Sequence, residues 1–167
     1  MGSSSSRSSL PGLSLALTLA ALLVVPAAAG GAELTREGYV AKLEPICKAN
    51  TRANLRILKG VKGQVQQGKL VPAGKRFIRA SGALGRSVTQ MAKVPKPSAD
   101  TIKLNRWFGF LRSEKEYLRK IGKALKQKNK FAAQKQAVQL NRNNNKANNT
   151  VISFGFKECR IDSSKFL

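Results

Sequence analysis

The 167-residue chain contains no histidine, two cysteines, one tryptophan and eight carboxylate side chains, against 31 lysines and arginines. Without histidine it lacks the side chain that titrates unaided near neutral pH. Acid–base catalysis would therefore need a strongly shifted Glu, Asp or Lys. A zinc site would have to be assembled from two thiols and carboxylates alone. No paired carboxylates, nucleophile beside a base, phosphate-cradling glycine loop or C-x-x-C pair occurs. Glu114 and Glu116 fall on different faces of a helix, with Lys120 spaced to pair with Glu116. Glu37 and Glu44 share no turn. These absences read as a protein that is not an enzyme and carries neither metal nor cofactor. Alternating apolar and polar positions are also missing, which excludes a sheet and leaves an all-α fold.

One apolar run is present, "LSLALTLAALLVV" at 13–25. It is too short to span a bilayer comfortably, follows Arg7, and precedes "PAAAGGAE" with small residues at Ala27 and Ala29. This pattern is that of a signal peptide, 1–29, cleaved after Ala29 in preference to Ala32, ahead of a single helical domain, 30–167. Cleavage removes only Arg7 among the charges and lowers the formal charge from +23 to +22. The expected location is secreted or envelope-associated, with no transmembrane span in the mature form.

Four amphipathic helices are expected, at about 34–59, 72–93, 99–126 and 130–154, with Thr35 and Ser98 as caps and Gly155 as a stop. Pro45 should bend the first helix without ending it. Gly74, Gly82 and Gly85 each weaken the second helix relative to alanine, for which close approach of a neighbouring helix is the expected return. The third helix carries the richest core face, Leu104, Trp107, Leu111, Leu118, Ile121 and Leu125, with Phe108 and Phe110 at its flanks. "WFGF" therefore reads as core packing before base stacking. Short connections between four such helices predict an antiparallel up-down-up-down four-helix bundle.

In an exported chain, two cysteines far apart in sequence favour a disulfide, Cys47 to Cys159, joining the first helix to the segment after the last. The bundle would then be closed by one bridge. The stretch "YVAKLEPICKANTRAN", an alanine- and lysine-rich last helix and a terminal "FGFKEC" resemble a family of small exported helical proteins from high-GC Gram-positive bacteria. The resemblance covers most of the mature chain and implies export, a helical fold and the bridge, with no catalytic activity. The chain departs from many such relatives in having no lipid-attachment cysteine near the end of the leader.

Two further patterns need partners. Asn50 and Asn54 fall on the apolar arc of the first helix and Asn144 on that of the last, with Asn148 on its flank. If the first and last helices pair antiparallel, the amides meet in a polar core that sets register. The alternative is a small-ligand carrier with an asparagine-lined interior. Lys48, Arg52, Arg56 and Lys59 line one outer face, and Lys75, Arg79, Arg86 and Lys93 another. Like charges at this spacing destabilise a helix, so an anionic polymer or surface is the expected partner, and a solvated face on a purely structural envelope protein is the competing one. Lysine outnumbers arginine, 19 to 12, which favours diffuse attraction over base-specific nucleic-acid readout. In an exported bacterial protein the candidate polyanions are cell-wall polymer, an anionic lipid surface and DNA.

Overall fold

A computed structural model describes residues 33–161. The leader expected at 1–29 lies outside the described residues. Helix α1 spans Arg36–Leu58, the short α2 Val61–Gln66, α3 Leu70–Ala92, α4 Thr101–Lys126 and α5 Lys130–Thr150, with 3-10 turns at Ser98–Asp100 and Ile152–Phe154. No strand occurs among the described residues. Helix α1 runs through Pro45 unbroken. The expected break after it holds α2, set between Gly60 and Gly68 in left-handed conformation (φ 76° and 74°). Pro72 lies in the first turn of α3, where its missing N–H has no intrahelical partner to lose. The last helix stops four residues early, at Thr150, and tightens into the 3-10 turn that ends at left-handed Gly155.

Thr35 caps α1, its hydroxyl accepting from Gly38 N at 3.1 Å. Asn129 caps α5 by accepting from Ala132 N at 2.8 Å. Ser98 begins the 3-10 turn and does not cap α4. Helix α3 packs along α4, α4 along α5, and α1 along α3, while α1 and α5 make no extensive contact. The α3–α4 contact is closest at Gly74 and Gly122. A Cβ on Gly74 would lie 2.5 Å from the Gly122 carbonyl oxygen, and one on Gly122 2.7 Å from that of Gly74. Close approach explains Gly74, whereas a Cβ on Gly82 or Gly85 would meet only the side chains of Arg86 and Lys115.

The segment after α5 joins it to α1. Trp107, fully buried, stacks on Phe156 with centroids 5.4 Å apart, and Phe156 stacks on Phe154 at 5.6 Å. Cys47 and Cys159 form a disulfide with Cα atoms 4.9 Å apart. The two oxygens of Glu44 accept the backbone N–H groups of Lys157 and Glu158 at 2.7 and 2.8 Å. Asn148 clasps the Ile161 backbone with both ends of its amide, each bond 2.8 Å. At the same end the Arg36 guanidinium forks onto Asp100 at 2.7 and 2.8 Å, tying the start of α1 to the start of α4. Arg36 also holds the Asp100 carboxyl below the usual carboxylate range.

Candidate functional site

The eight cations singled out on α1 and α3, Lys48, Arg52, Arg56, Lys59, Lys75, Arg79, Arg86 and Lys93, are all exposed. Among the described residues, four cations pair with a carboxylate: Arg36 with Asp100, Lys48 with Glu158 at 3.7 Å, and Lys115 and Arg119 with Glu116. The partner of Glu116 at ion-pair distance is thus Arg119 at 2.7 Å, with Lys115 at 3.9 Å, and not Lys120. Seven of the eight outer-face cations have no described carboxylate at that distance. The row on α3 is also joined by α4. Lys126 shares one surface groove with Lys75, Arg76 and Arg79, and Lys115 shares a second with Arg86.

Carboxylates are distributed unevenly along the fold. Residues 45–99 contain twelve lysines and arginines and no Asp or Glu, and residues 117–157 contain ten and none. Glu33, Glu44, Asp100 and Glu158 all hold the end of the fold where α1 and α4 begin and the bridged segment lies. At the other end Gly74 of α3 meets Gly122 and Lys126 of α4, and Arg76 donates to the Lys59 carbonyl at the end of α1. Among the described charged side chains, that end presents lysines and arginines alone.

The asparagines do not meet in one layer. Asn54 donates to Asn50 Oδ1 at 3.2 Å within α1, Asn143 donates to the Phe110 carbonyl at 3.0 Å, and Asn148 holds Ile161. Asn144 is buried, and its Oδ1 has no partner among the described residues. The expected pairing fails because α1 and α5 are not packed neighbours; the bridged segment links them instead.

Asn50 and Asn54 instead line a cavity of about 60 Å³ with Trp107, Glu114, Glu158, Arg160 and the disulfide. Asn54 Oδ1, Trp107 Nε1 and Glu114 Oε2 are sealed from solvent without a partner among the described residues. Burial pushes the Glu114 carboxyl up to about 8, so at neutral pH it is mostly protonated and able to donate. Helical spacing carries a signal for this residue, because Glu114 continues the buried series Trp107, Leu111, Leu118. Glu44 and Asp100 give no such signal, since their partners are distant in sequence. Among the described residues no group of His, Cys, Asp and Glu side chains is placed to hold a metal ion.

No family model, no curated protein and no solved structure matches the chain.

Proposed function

We propose that the chain is an exported, non-enzymatic binding protein that attaches to anionic polymers or surfaces through exposed basic helix faces, on helices running alternately up and down. The observation that carries this reading is the set of seven exposed outer-face cations, on α1 and α3 and at their C-terminal ends, with no carboxylate at ion-pair distance among the described residues. Their mutual repulsion disfavours each helix slightly, and an anionic partner would relieve it. The disulfide supports export, because such bonds persist in oxidising compartments. The facing of Gly74 by Gly122, the Arg36–Asp100 fork and the short α4–α5 turn support the alternating helix directions. The polar cavity does not favour the carrier reading: at about 60 Å³ it has room for a few waters.

Binding to heparin, duplex DNA or polyphosphate should weaken steeply with salt. Each phosphate contact contributes about 0.9 to the log–log slope, so one engaged row of four gives a slope on the order of 3 to 4. Reversing Arg52 and Arg56 to glutamate should flatten it, measured by fluorescence anisotropy across a salt series. Absence of binding to all three polymers at low salt overturns the proposal.

A further inference from the structure

The turn between α4 and α5 carries the most exposed large apolar side chain in the carboxylate-free stretches 45–99 and 117–157; Leu55 and Val138 lie in these stretches too, but are only 42 % and 47 % exposed. Phe131 is 80 % exposed in the first turn of α5. It lies two positions before buried Ala133, on the far side of the helix from the core stripe of Ala133, Leu140 and Ala147. Within eight residues of it in sequence lie Lys123, Lys126, Lys128, Lys130 and Lys135, all exposed, in a stretch with no carboxylate. The α3 groove beside Lys126 adds Lys75, Arg76 and Arg79. Ile102 and Ile152 are similarly exposed, but they lie at the end held by Asp100 and Arg36.

We infer that this end of the fold docks on an anionic lipid surface, with Phe131 entering the headgroup boundary and the lysines around it meeting the lipid phosphates. The inference rests on the polyanion reading and names its partner. A soluble polymer would neutralise the lysines and leave the ring in water. A bilayer boundary satisfies both, since an apolar side chain ringed by basic ones is the pattern of interfacial attachment. Each lysine near an anionic leaflet strengthens attachment by about fivefold at modest ionic strength. Lysine, a mobile point charge, suits headgroups that offer no fixed geometry. No helix among the described residues is long and apolar enough to cross a membrane, so attachment by these residues is peripheral.

The test is co-sedimentation with phosphatidylcholine vesicles, with and without phosphatidylglycerol, run beside heparin binding. Wild type should bind only the phosphatidylglycerol vesicles. Phe131→Ser should weaken that binding by about fivefold to tenfold while leaving heparin affinity unchanged. Phe131→Trp should show tryptophan emission quenched by brominated lipid. Heparin binding without vesicle binding, equal loss of both in Phe131→Ser, or an unquenched Phe131→Trp overturns the lipid inference and leaves the polyanion reading standing. Loss of all binding, to heparin and to both vesicle types, overturns the two together.

Discussion

The two ends of the fold are held by different forces. In the half of the fold that runs from the starts of α1 and α4 to the middle of α1, a guanidinium–carboxylate fork, a carboxylate receiving two backbone N–H groups, a stacked aromatic series and the disulfide at Cys47 hold the chain. At the α4–α5 turn the backbones of α3 and α4 touch at Gly74 and Gly122, and the surface beyond is lysine and one exposed phenylalanine. Most of the described carboxylates serve as internal fasteners at the first end, so the second keeps its charge uncompensated. If the lipid-docking proposal holds, stability and membrane attachment fall to opposite ends, and substitutions at each should act on different measurements.

The largest effect expected at the fastened end follows from opening the bridge. Cys47→Ser with Cys159→Ser releases a link between residues 112 apart, and the chain-entropy account gives a loss of roughly 4 to 5 kcal/mol. Urea unfolding should show this loss, and heparin affinity measured below the new midpoint should be unchanged. A bridge-free protein of equal stability would remove the contrast between the ends.

The next effect is pH-dependent. The folded protein keeps a proton on Glu114 that the unfolded chain releases above the ordinary value of 4.5, so stability falls as pH rises from there to about 8 and this contribution is level beyond. Glu158 and Arg160 from the bridged segment are the charged groups lining the same cavity. Glu114→Gln removes the proton linkage and should stabilise the protein by on the order of 2 to 3 kcal/mol at pH 7.5, with little change at pH 4. Denaturant midpoints across that range decide it; parallel pH curves for the two proteins would show that the carboxyl is hydrated in solution.

The smallest effects sharpen the contrast directly. Glu44→Gln, which leaves one oxygen for two N–H groups, should cost about 1 kcal/mol in unfolding free energy. Lys128→Gln should stay within about 0.5 kcal/mol, yet weaken polyanion or vesicle binding. If Lys128→Gln destabilised the protein as much as Glu44→Gln, the division of labour between the ends would be wrong.

Much of the helical framework was legible from period and punctuation: the four long helices, the cap at Thr35 and the outward face of each basic row depend on neighbours a turn away, whereas the cap at Asn129 was missed and Ser98 was misread as one. The disulfide was legible because a chain with two cysteines has a single intramolecular pairing. The amide layer was misread because periodicity places Asn50, Asn54 and Asn144 on apolar faces without saying which faces meet. The short α2 was hidden in a glycine- and lysine-rich break with little apolar content.

By itself the sequence determined the helices, their polarity around each axis and the surplus of positive charge, since these depend on local backbone preference and residue type. Only the tertiary structure decided that Glu44 and Asp100 act as fasteners, that Asn148 clasps Ile161, and that the segment after α5 closes the cavity over Glu114. Each of these depends on how the helices pack and on where the segment after α5 lies, and residue order along one helix carries no information about the element across from it.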